Sequence, residues 1–131
     1  MIFRIPGKIR AKQRPRFYNG HPITPKETVN YENWVRTCFV DTCRDAVKDG
    51  PLKVTITAYF QIPKSYSKKK RRETTHPARK IDCDNIAKIV LDSLNNIAYK
   101  DDTQVMELVV RKRWSEAEEF VTCEIEDIEG E

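Results

Sequence analysis

Between residues 82 and 102 the chain sets five aspartates, Asp82, Asp84, Asp92, Asp101 and Asp102, with Lys88 among the first three. Closely spaced carboxylates offer oxygen ligands to a hard divalent cation such as Mg²⁺ or Mn²⁺. A cation of that kind, with an ammonium group nearby, suits phosphodiester hydrolysis, where negative charge develops on the phosphoryl oxygens. The arrangement sits in the stretch "RKIDCDNIAKIVLDSLN", residues 79–95, whose apolar residues recur as in an amphipathic helix.

At about 100° per residue, Asp84, Lys88 and Asp92 fall near 0°, 40° and 80° on the helix circumference. Ile86, Ala87, Ile89, Val90, Leu91 and Leu94 fill the opposite arc. One face is therefore apolar and buried, and the other gathers two carboxylates and an ammonium. Asp82 approaches in extended chain and projects to the same side as Asp84, so that pair can share one ion. Asp92 lies roughly 12 Å along the axis from Asp84 and serves better as an orienting group behind the ligands. Asp101 and Asp102 follow in a turn and are the further supply of ligands. A plainer alternative gives each residue to the fold: Asp84 caps the helix, Asp82 complements its dipole, and Lys88 pairs with Asp84 or Asp92 one turn away.

The elements that must position these groups are legible from pattern. "IFRIPGKI" alternates as a short strand, and "RAKQRPRFYNGHPITP" is broken by Pro and Gly into an irregular segment. Apolar recurrence predicts a helix from Thr28 to about Lys48, ended by "DGP". "LKVTITAYFQI" alternates as a half-buried strand. The basic segment at about 64–80 has no apolar pattern and reads as a mobile loop. A second helix is expected from Asn85 to about Asn96, capped by Asp84, followed by a turn at "YKDD". "TQVMELVVRKRW" and "FVTCEIEDI" read as strands joined by a hairpin turn at "SEAEE". This order predicts a single α/β or α+β domain over residues 1–131, with two main helices packed on a mixed sheet and no internal repeat.

Composition agrees with a globular, soluble chain of 131 residues, 39% hydrophobic and 34% charged. No apolar run has the length of a membrane span, and the N-terminus reads as a strand rather than a signal peptide. Cys38, Cys43, Cys83 and Cys123 form no CxxC pair, so reduced thiols in a cytoplasmic protein are expected. Residues 1–80 hold 19 Lys/Arg against 6 Asp/Glu, whereas residues 81–131 hold 5 against 14. A basic half invites a polyanion. An acidic half would repel the same polyanion unless bound cations screen it. His21 and His76 stand alone; Phe17 and Tyr18 are expected in the core, with stacking on a nucleic-acid base as the alternative, and Trp34 and Trp114 suit the core or a dimer interface.

Taken together, "KIDCDNIAKIVLDSLN" and "YKDDTQV" resemble the RusA family of Holliday junction resolvases. The family pattern is Asp-x-Asp-Asn, a Lys three residues on, Asp-x-Leu later in the helix, then Asp-Asp-x-Gln-Val. Asp82, Asp84, Asn85, Lys88, Asp92, Leu94, Asp101, Asp102, Gln104 and Val105 match it in spacing. The stretch "KQRPRF" and the chain length also fit. The segment between residues 63 and 80 departs from the pattern, being longer and more basic than a short linker.

The resemblance implies a homodimeric, Mg²⁺-dependent (or Mn²⁺-dependent) endonuclease that resolves four-way DNA junctions by paired nicks, with no small-molecule cofactor. It also implies that Asp82, Asp84 and Asp102 are the catalytic, metal-binding carboxylates, that Lys88 is the catalytic lysine, and that Asp92 and Asp101 are accessory acids. Arg14, Arg16, Lys68, Lys69, Lys70, Arg71, Arg72, Arg79, Lys80 and Asn85 are the candidate DNA contacts. A broader nuclease of flaps and other branched DNA, and a non-catalytic DNA-binding module of the same fold, are the alternatives.

Overall fold

Alternation builds the strands and a helical stripe builds each long helix. The computed structural model describes residues 1–128 apart from 13, 44–46 and 79. In chain order the elements are β1 (Ile2–Pro6), β2 (Arg16–Tyr18), β3 (His21–Ile23), α1 (Lys26–Thr42), β4 (Leu52–Gln61), α2 (Lys68–Glu73), α3 (Cys83–Ser93), β5 (Val105–Ser115) and β6 (Phe120–Asp127). A short 3₁₀ turn, Asp102–Gln104, leads into β5. β1, β6, β4 and β5 form one mixed sheet in that order, in which β4 runs parallel to β5 and antiparallel to β6. The expected α+β architecture is the observed one, with two main helices on a mixed sheet. No helix among the described residues is long and apolar enough to cross a membrane.

β4 is central because it is the most apolar strand. Leu52, Val54, Ile56, Ala58 and Phe60 all point to the buried face, beside Val121, Cys123 and Ile125 of β6. Against them pack Tyr31, Val35, Cys38 and Phe39 of α1, and Ile86, Ile89 and Val90 of α3. Both helical sets follow the three-and-four spacing that lines up one helix face.

Several local expectations change. β5 and β6 do not form a hairpin, because β4 lies between them. Residues 116–119 step over the end of β4, a gap of roughly 10 Å across two strand spacings, within reach of four extended residues. Glu119 secures the step: its carboxylate accepts the Gln61 N–H at 3.3 Å and its carbonyl accepts the Gly7 N–H at 2.9 Å. A local turn pattern does not distinguish a hairpin from a step of this length.

The proline-broken N-terminal segment contains the β2–β3 hairpin. Asn19 and Gly20, at φ of 50° and 79°, make its turn, which suits the Asn-Gly preference of two-residue hairpins. Phe17 and Tyr18 on it are 76% and 67% exposed, so they are not core residues. α1 ends at Thr42 rather than near Lys48, with Cys43 already extended. The returning chain pairs instead with the 95–99 turn, through the Lys48 N–H to the Ala98 carbonyl at 3.0 Å. Within segment 64–80 the run Lys68–Glu73 forms α2, whose Ser67 hydroxyl caps the Lys70 N–H at 3.1 Å.

The turn that presents Asp101 and Asp102 is braced by Gln104. Its Oε1 accepts the N–H groups of Lys100 and Asp101 at 2.8 and 3.0 Å. Its Nε2 donates to the carbonyls of Lys48 and Gly50 at 2.9 and 3.0 Å. One side chain thus ties the acidic turn to the chain entering β4. Gln104→Ala removes four hydrogen bonds at a half-buried position and should cost on the order of 2 kcal/mol. Urea denaturation checks this; an unchanged midpoint would show that the brace does not hold the turn.

Candidate active site

α3 carries carboxylates at both ends. At its start Asp82, not Asp84, is the N-cap: its Oδ1 accepts the Asn85 N–H at 3.1 Å. Asp84 lies in the first turn, where its charge complements the helix dipole. Cys83 between them donates its Sγ–H to the Val110 carbonyl at 3.8 Å, which pins this end of the helix beside the middle of β5. Asp82, Asp84 and Lys88 are all exposed. None of the three is ion-paired with a described residue. The expected helix pairing of Lys88 with Asp84 or Asp92 does not form.

The other end of α3 is a second acidic group. The Asp92 carboxylate accepts from Lys12 Nζ at 2.5 Å, with Glu32 at 3.7 Å from the same ammonium. Partial burial pulls the Lys12 ammonium down, but its hydrogen bond to Asp92 and the charges of Asp92 and Glu32 outweigh that and hold it above its ordinary range. The Asp102 N–H donates to the Asn95 side chain at 3.0 Å, which draws the turn against the helix end. Partial burial, then the charges of Asp101 and Asp92, push the Asp102 carboxyl above its usual value. Thr103 Oγ1 donates to Asp101 at 2.8 Å.

Two hydrogen bonds fix this end of the helix. Tyr99 Oη donates to the Leu91 carbonyl at 2.6 Å, and Arg36 Nε donates to the Ser93 carbonyl at 2.9 Å. The Leu91 carbonyl also accepts the Leu94 N–H at 3.2 Å, so both bonds act on carbonyls of the last turn.

Within one chain, then, Asp102 is gathered with Asp92 and Asp101, and not with Asp82 and Asp84. Asp92 lies ten positions after Asp82, roughly 15 Å along the axis of α3. Among the described residues no three His, Cys, Asp or Glu side chains converge to hold a metal ion. The donors themselves suit a hard cation, since all are carboxylate oxygens. The crowding that lifts the Asp102 carboxyl is also relieved by bound positive charge. One chain therefore presents these carboxylates as two separate groups, half-sets of the expected ligands.

Arg14, Arg16, Lys80 and the run from Lys68 to Arg72 are exposed, and Asn85 is half-buried at the cap of α3. Arg79 lies outside the described residues. Trp114 is half-buried and donates Nε1–H to the Thr74 carbonyl at 3.0 Å, so it braces the basic segment. Trp34 is partly exposed and donates to the Pro6 carbonyl at 2.7 Å. Sequence spacing does not single out Lys12, because its tie to Asp92 spans 80 residues and leaves no local signal; Glu32 joins the group only through Lys12.

Comparison with known proteins places nearly the whole chain in a family. The uncharacterized protein YqaN of Bacillus subtilis (strain 168) is 32% identical over 124 residues, which cover 87% of each chain. The sequence profile of the family described as endodeoxyribonuclease RusA matches residues 6–126. With that match over nearly its whole length, the chain belongs to the RusA endodeoxyribonuclease family.

Proposed function

We propose that this protein is a divalent-metal-dependent endonuclease that resolves four-way DNA junctions by paired symmetric nicks, acting as a homodimer. The observation that carries the reading is the outer face of α3. Asp82, Asp84 and Lys88 stand exposed there, without ion-pair partners among the described residues, next to the basic segment 64–80. Asp82, Asp84 and Asp102 would hold Mg²⁺ or Mn²⁺, which supplies Lewis acidity to the phosphoryl group. Lys88 would meet the charge that develops on the scissile phosphate. Asp92, held by Lys12, and Asp101 set the position and charge of Asp102. Arg14, Arg16 and the α2 cations supply contacts to the DNA backbone. The exposed rings of Phe17 and Tyr18 lie on the hairpin beside those arginines.

The half-sets explain why two copies are needed for more than symmetry. A C2 axis that sets two α3 helices antiparallel brings the start of one to the end of the other. The outer edge of β5 offers a surface for this, with Met106 and Leu108 61% and 43% exposed on an edge that no strand covers. Antiparallel meeting of two such edges carries Asp102, just before one β5, toward Val110 of the other, where Cys83 is bonded. Asp82 and Asp84 of one subunit and Asp102 of its partner would then hold each ion together.

Three outcomes are expected. Asp82→Asn, or EDTA on the unaltered protein, should lower junction nicking at least about 100-fold while junction binding in a gel-shift assay persists. Normal nicking by Asp82→Asn would remove the assignment, and equal nicking of flap and junction would make the protein a broader branched-DNA nuclease. Mixed dimers of Asp82→Asn and Asp102→Asn subunits should regain about half the single-strand nicking, because one of the two shared sites is intact. Mixed dimers as inactive as either parent would show that each site lies within one subunit. In EDTA at neutral pH, Asp102→Asn should raise Tm, since it removes one charge from a crowded group whose ionised form the fold disfavours. A lowered Tm would mean that the cluster is not electrostatically strained.

A further inference from the structure

Beneath segment 64–80 lies a cavity of about 380 Å³ that the catalytic reading does not use. Tyr66, Trp114, His76, Pro77, Lys70 and Lys80 supply its principal walls. The rings of Tyr66 and Trp114 stand 6.5 Å apart at 76°, forming an aromatic corner. The Trp114 ring is held by its bond to the Thr74 carbonyl, and buried Pro77 closes the wall beside it. The Lys70 ammonium covers one face of Tyr66, 4.3 Å from the ring centroid. Among the described residues no Asp or Glu lines the cavity, and its charged walls are the cations Lys70 and Lys80.

These features select a ligand. The volume lies in the range of small-molecule pockets, roughly 300–1,000 Å³, which admits a base with its sugar and excludes a duplex. Aromatic corners bind planar rings by stacking on one ring and meeting the edge of the other. Cations at the rim suit a phosphate attached to that ring. Lys80 stands two residues before Asp82 in a bent stretch, at most about 7 Å away. A strand with its scissile phosphate at Asp82 and Asp84 therefore carries a neighbouring nucleotide to the cavity mouth.

We propose that this cavity receives one unpaired nucleobase of the DNA substrate, stacked on Trp114, with its phosphate held by Lys70 and Lys80. The proposal rests on the nuclease reading above and deepens it. A base in continuous duplex must be unstacked at a cost of a few kcal/mol before it can enter, whereas a base at an opened branch is already free. The cavity is thus an element of branch selectivity, read by a segment that is longer and more basic than a short linker.

The test uses Trp34→Phe protein, in which Trp114 is the one remaining tryptophan. It is titrated with a short oligothymidylate and with the same sugar-phosphate chain lacking bases. The oligothymidylate should quench Trp114 and bind roughly 5- to 150-fold more tightly, the equivalent of about 1–3 kcal/mol for one stacked base. Tyr66→Ala should narrow that gap while leaving the affinity for the abasic chain unchanged. Equal affinities with no base-dependent quenching would overturn the proposal. Junction nicking is measured in parallel to separate the two readings. Normal nicking without base-dependent quenching removes the base cavity and leaves the nuclease; base-dependent quenching without nicking of any DNA does the reverse.

Discussion

Burial of one stripe of α3 is the constraint on which the site depends. Ile86, Ile89, Val90 and Leu94 are fully enclosed, and seating them against the sheet leaves no rotational freedom about the helix axis. The outward positions of Asp84, Lys88 and Asp92 follow from that packing. Shielding four aliphatic side chains from water contributes several kcal/mol. That far exceeds the few tenths that a surface ion pair within the helix could return. The core therefore decides the orientation, and the charged face is carried along with it.

The two ends of this helix are held by different means. At the start, the Asp82 cap and the Cys83 bond to β5 hold the chain with its carboxylates turned outward. At the end, Tyr99 and Arg36 occupy the last carbonyls, and Gln104 and Asn95 tie the acidic turn against the helix. The second group is the more crowded, as the lifted Asp102 carboxyl shows. Lys12 offsets part of that charge from the opposite end of the sequence, where the basic half of the chain begins. The uneven charge along the sequence thus becomes, in the fold, a set of acids flanked by exposed cations.

Segment 64–80 shows how a charged run can be structured without an apolar pattern of its own. Its helix is only six residues long and buries nothing. What orders it is Trp114 from β5 and the neighbouring Tyr66, whose rings pack under a chain that would otherwise have no core to join. The hairpin bearing Phe17 and Tyr18 is the converse case. Those aromatic residues look like core material in sequence and stand in solvent, because their strands form a separate two-stranded sheet.

The sequence by itself determined the strands that build the sheet, the two main helices, the charged face of α3 and the family motif, because each is a short-range periodicity or spacing. The hairpin turning at Asn19 and Gly20 was not legible in this way, because the prolines around it made the segment read as irregular. Only the tertiary structure decided that β4 separates β5 from β6, that Asp82 rather than Asp84 caps α3, and that Lys12 meets Asp92. Only the fold, too, showed that Asp102 keeps company with Asp92 and Asp101, a helix length away from Asp82. The reason is physical. Periodicity records which face of an element must be dry, but the partner of that face, and the distance between two charged ends, depend on packing between residues far apart in the chain.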